Sequence, residues 1–151
     1  MLCLISNGGI DEASTYFSCL ARRKDIICGC RRERSGMRRF DHHAVGVCQG
    51  SALLFSAFED QGEMWSGHGH RLVRHAVTFE EAFAGPPVVH VSIAMWDIDG
   101  QANQRADICA EAVSRTGFDI LFQTWGDTRV ARIRAEWLAI GPVAHLDDFS
   151  L

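Results

Sequence analysis

Long hydrophobic runs are missing from this sequence of 151 residues. No apolar stretch approaches the ~18 to 20 residues a membrane-spanning helix needs, so helical insertion into a bilayer is not expected. A secretory leader is missing as well, because MLCLISNGGI has no basic residue ahead of it and no sustained apolar core. The expectation is a cytoplasmic protein, or one released or surface-attached by a route without a leader. Cysteine is scarce where a fold would use it: Cys3, Cys19, Cys28 and Cys30 precede the body, which holds Cys48 and Cys109 alone. Two cysteines make no disulfide framework. Basic charge is also thin in the body. Residues 1–39 hold 8 of the 15 Lys and Arg but 4 of the 19 acidic residues, leaving 7 basic against 15 acidic in the remainder. An acidic body argues against nucleic acid as partner, since phosphate binding needs a basic face.

Catalytic signatures are absent too. There is no Gly-x-Ser-x-Gly elbow, no phosphate-cradling glycine loop, and no carboxylate pair with a reason to differ in pKa. Asp97, Asp99, Glu111 and Asp119 have the ordinary placement of acidic residues at turns and on exposed strand faces. No enzyme activity and no cofactor is expected. No metal site is expected either: His68 and His70 form a lone pair without a third ligand at fixed spacing. Cys28 and Cys30, with Cys19 and the pair His42 and His43 nearby, are spaced more tightly than the usual separation of about two to four residues in structural zinc sites.

What remains is one domain with a core, since hydrophobic residues make up 47% of the chain and its length is short for two domains. Residues 1–40 form a basic, cysteine-containing segment whose run ARRKDIICGCRRERSGMRR has no hydrophobic period, and it is expected to be poorly ordered. Met37 as the true start is an equal alternative. Residues 143–151 read as an acidic tail.

Between them, residues 41–142 follow strand grammar from residue 45 onward. Residues 87–97 place Val89, Val91, Ile93 and Met95 on one face and Val88, His90, Ser92, Ala94 and Trp96 on the other, both expected to be partly covered. His75 and His90 read as half-buried packing residues. Residues 129–140 alternate more sharply, with Ala131, Ile133, Ala135, Trp137 and Ala139 inward and Arg132, Arg134 and Glu136 outward. That outer charge suits ion pairs between subunits or plain solvation. Residues 51–58, 71–79, 105–113 and 118–125 supply four more strands, the last two separated by Arg115-Thr116-Gly117. Six short strands without a helical period predict an all-β fold, a six-stranded antiparallel β-sandwich.

One segment carries chemistry. In FQTWGDTRV a tryptophan ends a strand beside a turn, and rims of sandwiches are where loops bind ligands. An indole face suits the C–H side of a sugar ring, and a neighbouring Arg or Asp suits its hydroxyls. The competing reading is that Trp125 caps the core.

Further pieces occur in order: QGSALLFS, RLVRHAVTF leading to PPVVHVSIAMWDID, NQRADICAEAVSRTGFDI, and TWGDTRVARIRAEWLAIG. Over most of residues 49–141 this pattern resembles the H-type lectin family, the fold of the snail agglutinins that bind N-acetylgalactosamine. The resemblance implies a six-stranded sandwich that forms a homotrimer, with shallow sugar sites near the subunit boundaries. It places the family's site arginine on Arg105 and its sugar-stacking tryptophan on Trp125. The histidine that usually follows becomes Gly126, the acidic loop residue falls near His68, and a later site aromatic becomes Ala131. Asp127 and the Gly67-His68 loop complete the candidate set: Arg105, Trp125, Gly126, Asp127, Gly67 and His68. The family's disulfide positions fall on Leu54 or Phe55, Ala84 and Phe122, so this version does without cross-links. The function implied is multivalent recognition of a terminal glycan, of the galactose or N-acetylgalactosamine kind, as in cell adhesion. The alternative is a structural trimerisation or attachment module of the same fold with no working sugar site.

Overall fold

Alternation of apolar and polar residues produces all six expected strands: β1 (Ala44–Ser56), β2 (Arg71–Thr78), β3 (Val88–Ile98), β4 (Ala106–Glu111), β5 (Gly117–Thr124) and β6 (Val130–Val143). The computed structural model describes residues 36–40 and 44–144. Expectations for residues 1–35, 41–43 and 145–151, including the four front cysteines, His42 and His43, and most of the acidic tail, lie outside the described residues.

The strands form two antiparallel sheets of three, in the orders β1-β6-β3 and β2-β5-β4. Each sheet is built around a strand from the C-terminal half, flanked by two that precede it. Inward side chains meet between the sheets, where Ile120, Phe122, Ile133, Ala135 and Ala139 are fully buried. Ala131, Ile133, Ala135 and Ala139 alternate with the exposed Arg132, Arg134 and Glu136, as read from the sequence. Phe79, Phe83, Phe118 and Trp137 pack as an aromatic cluster, with centroids 5.1 to 5.9 Å apart in the paired rings. Fully burying such side chains stabilises by about 1.5 to 3 kcal/mol each.

Three differences from the sequence reading have physical causes. Strand β1 starts seven residues before residue 51, because Gly46 and Gly50 hide its alternation. A Cβ at Gly50 would lie 2.6 Å from the Trp137 ring, so the glycine makes room for that indole against the strand. A single helical turn, α1 (Glu63–Ser66), is too short to show a helical period. Finally, the second face of β3 is open: Val88, His90, Ser92, Ala94 and Trp96 are all exposed in the single chain, so neither their coverage nor the packing role of His90 holds there. His75 is half-buried, as expected.

Packing fills the cysteine positions of the resemblance except Ala84, which is exposed. Phe55 and Phe122 pack as a tilted pair with ring centroids 5.5 Å apart, and Leu54 is buried. An aromatic pair contributes about 0.5 to 1.5 kcal/mol beyond its area. Cys48 packs against the core from β1 and Cys109 lies on β4 in the other sheet.

The antiparallel order brings the C-terminal ends of β1, β3 and β5 and the N-terminal ends of β2, β4 and β6 to one end of the sandwich. The loops at that end carry all six candidate site residues.

Candidate functional site

Arg105 sits one residue before β4, and its backbone is fixed on both sides by buried hydroxyls. Its N–H donates to Thr128 Oγ1 at 3.1 Å, and its carbonyl accepts from Thr124 Oγ1 at 2.6 Å. Thr128 also donates to the Asn103 carbonyl at 2.7 Å. Thr124 and Thr128 are buried, and a buried polar group persists in a fold only when such partners exist. They anchor the 103–105 entry to the 125–128 turn.

The Arg105 side chain is aimed by Asp127. Nη1 of Arg105 donates to Asp127 Oδ1, while Asn103 Nδ2 donates to Oδ2 at 3.0 Å. These bonds, Asn103 first and Arg105 second, hold the Asp127 carboxyl down at about 2. Asp127 remains 48% exposed at its side chain and Arg105 37%, so both oxygens, although engaged, face solvent with acceptor capacity to spare.

Trp125 follows β5 and is half-buried. It belongs neither to the core cluster nor to the partly buried residues packed against it, which disfavours the core-capping reading. Gly126 has φ +69, and a Cβ there would come within 3.2 Å of Arg105 Nη1. Left-handed backbone and an adjacent guanidinium together account for glycine at the position of the usual histidine.

The Gly67-His68 loop joins this turn through the backbone, since Gly69 N–H donates to the Gly126 carbonyl at 2.9 Å. Arg71 completes the join. It is 2% exposed, and its guanidinium donates to the carbonyls of Gly69 (3.1 Å), Gly67 (2.9 Å), Met64 (3.3 Å), Gly126 (3.4 Å) and Thr128 (2.8 Å). Burial lowers its pKa, against the opposing pull of Glu63. Sequence reasoning missed Arg71, which looks like one more basic residue at a strand start. Its only signal is its place between a glycine-rich loop and a strand, where loose carbonyls need a donor.

Four of the six candidates, Arg105, Asp127, Gly126 and Gly67, thus belong to one rim linked by hydrogen bonds, and Trp125 precedes Gly126 in its turn. His68 stands in the linking loop with an exposed side chain. The position of the later site aromatic, Ala131, is 4% exposed, so its methyl group offers little to a ligand. A cavity of about 380 Å³ lies at β3, lined by Ile93, Ala94, Met95 and Trp96, and includes none of the candidates. Among the described residues no three metal-ligating side chains cluster.

The comparisons with known proteins give the family. Residues 74–140 match the model of the H-type lectin domain. A protein of Fuscovulum blasticum, named for the ATP synthase subunits region as its ORF 7, is 53% identical over 108 residues, covering 72% of this chain and 94% of that protein.

The chain belongs to the H-type lectin domain family.

Discoidin II of Dictyostelium discoideum has a similar fold, with TM-scores of 0.59 and 0.56 in two structures at 22% identity, covering 69% and 71% of this chain. The chain spans 40% of discoidin II's length. The matched span of the H-type lectin domain includes Arg105, Trp125, Gly126 and Asp127, whereas Gly67 and His68 precede it.

Proposed function

We propose that this H-type lectin domain binds the terminal sugar of a glycan at the rim formed by Trp125, Arg105, Gly126, Asp127 and the Gly67-His68 loop. The observation that carries the reading is the conjunction of an indole outside the core with an arginine aimed by a paired carboxylate and a backbone clamped by buried threonines. Such preorganisation is what a small polar ligand needs, because ordering the site after contact would consume its few interactions. The indole takes the C–H face, Arg105 donates to ring or hydroxyl oxygens, and Asp127 accepts from hydroxyls. His68, in place of a carboxylate, alters the hydroxyl preference within the galactose and N-acetylgalactosamine series.

The working unit is a homotrimer, as the family resemblance implies, assembled through the outer face of sheet β1-β6-β3. Val45, Val47 and Val88 on that face are 52%, 65% and 49% exposed. Val47 and Val88 both pair in register with Ile140 of the central strand, which makes an apolar row across all three strands. Arg134 and Glu136, exposed on the same face without partners among the described residues, suit ion pairs between subunits, whereas Arg132 is engaged by Asp97 at 3.0 Å within the chain. Single open sites of this kind bind in the range of about 0.1 to 1 mM, and simultaneous engagement of several supplies useful avidity.

A glycan array probed with the wild type and Trp125→Ala tests this, with the mass of each measured by light scattering. The expected result is terminal galactose-series hits for a trimeric wild type and their loss in a trimeric variant. No hits for a folded wild-type trimer would leave a structural trimerisation or attachment module as the function.

A further inference from the structure

Side chains two apart on a strand share a face, separated by about 6.6 Å. From the rim, one such step along β4 leads from Arg105 to Asp107, and one step back along β5 leads from Trp125 to Gln123. Gln123 pairs in register with Asp107 on one side and with Leu72 on the other. The row directly below the rim, on the outer face of sheet β2-β5-β4, is therefore Leu72, Gln123 and Asp107.

This row is tied together by Gln123, which is 3% exposed. Its Nε2 donates to Asp107 Oδ2 at 2.8 Å, so its Oε1 must accept, and it does so from His70 Nε2 at 3.1 Å. The direction of this chain sets the tautomer of a neutral His70: Nε2 carries the proton and Nδ1 is left as an acceptor. Asp107 Oδ1 and His70 Nδ1 have no partner among the described residues, and both side chains reach solvent. Leu72 beside them is 45% exposed. The surface thus offers two fixed acceptors at the two ends of the Gln123 amide, with an exposed apolar side chain beside them. Acceptors call for donors, and a ring with hydroxyls at its edge and C–H groups on its face supplies both. An acidic ligand would meet the Asp107 carboxylate without a compensating cation in the row.

We propose that this row is a second saccharide subsite, which takes the next, neutral hexose of a chain whose terminal residue occupies the rim. The inference rests on the carbohydrate reading of the rim and deepens it: the ligand is an oligosaccharide that runs down the β2-β5-β4 face, not an isolated terminal sugar. Gln123 is a positioning residue in this arrangement, while His70 and Asp107 contact the second ring.

Calorimetric titration of the full chain with two matched pairs provides the test: N-acetylgalactosamine against N-acetylgalactosaminyl-α-1,3-galactose, and galactose against lactose. At least one disaccharide is expected to bind about tenfold more tightly than its monosaccharide. His70→Ala and Asp107→Asn each bring that ratio to near unity, and Trp125→Ala weakens both members of the pair. Leu72 methyl resonances serve as a readout independent of the variants, moving with the disaccharide and not with the monosaccharide. Monosaccharide binding without any gain from the second ring, or a gain that survives both variants with Leu72 unmoved, overturns the subsite and leaves the rim reading intact. Binding of neither monosaccharide nor disaccharide overturns both.

Discussion

The two outer faces of the sandwich come from the same alternating pattern, yet they dispose of their polar groups in opposite ways. On sheet β2-β5-β4 the polar side chains are linked to one another, with one acceptor atom each of His70 and Asp107 left open. Arg74 reaches from β2 across the central strand to Asp119 at 2.9 Å and Glu111 at 3.1 Å, and His70, Gln123 and Asp107 form a continuous chain. Those carboxylates raise the Arg74 pKa. On sheet β1-β6-β3, Arg132 pairs with Asp97, but Arg134 and Glu136 have no partner among the described residues and stand beside exposed valines. A face whose charges are paired within it and whose open atoms are acceptors suits a solvated, ligand-facing role, and one left with unpaired charge and open apolar area suits burial against another copy.

Substitutions that act on one face and spare the other sharpen this contrast, and a change beneath both provides the reference. Phe122→Ala removes a fully buried ring between the sheets, so it is expected to cost about 3 to 5 kcal/mol in urea denaturation and to impair both assembly and binding. A loss below about 1 kcal/mol would show that the two faces do not share one core.

Val47→Asp places a charge in the apolar row and should reduce the light-scattering mass from trimer to monomer. Binding to a glycan-coated surface should then fall about 100-fold or more, while affinity for free sugar is retained. Equal losses for free and immobilised sugar would break the assignment of assembly to this face.

Arg71→Met leaves the carbonyls of Gly67 and Thr128 without their donor, a cost of about 1 to 3 kcal/mol in thermal or urea unfolding. Sugar binding should weaken at least tenfold at unchanged trimer mass, because the two loops of the rim are then held together by the Gly69–Gly126 backbone bond without the guanidinium beside it. Arg71→Lys should recover only part, since an ammonium lacks the planar fork that reaches several carbonyls at once.

The smallest effect concerns pH. Asp127 is held below its ordinary 3.8, at about 2, by Asn103 and Arg105. A carboxyl depressed in the folded state contributes stability above its unfolded pKa and loses it as pH falls through the folded value. The rim geometry should therefore stay constant from neutrality to about pH 4 and loosen only toward pH 2, as read from the Arg105 side-chain N–H resonance. A transition near pH 4 in that resonance would contradict the pairing.

The fold was more legible in the sequence than the site. Period-two alternation is written into β6 by Ile133, Ala135 and Trp137 against Arg132, Arg134 and Glu136, and it needs no partner to be seen. Where glycine interrupts it, as at Gly46 and Gly50, the strand became visible only through the packing of Val143 and Trp137 that the glycines permit. At the site, Trp125 and Arg105 stood out through the family resemblance and their chemistry. Arg71, Thr124 and Thr128 did not, because their importance lies in carbonyls and N–H groups brought to them from other loops, and no local spacing encodes that. The row of His70, Gln123 and Asp107 was hidden for the same reason: three residues from three segments share one face only once the register is known.

The central claim is that Trp125 meets a sugar. Its indole N–H resonance, followed while the wild-type chain is titrated with N-acetylgalactosamine and galactose, tests that claim most directly. A saturable shift is expected at Trp125 while the indoles of Trp65 and Trp137, both packed against the core, stay still. A Trp125 resonance unmoved by a glycan that the protein demonstrably binds would contradict it.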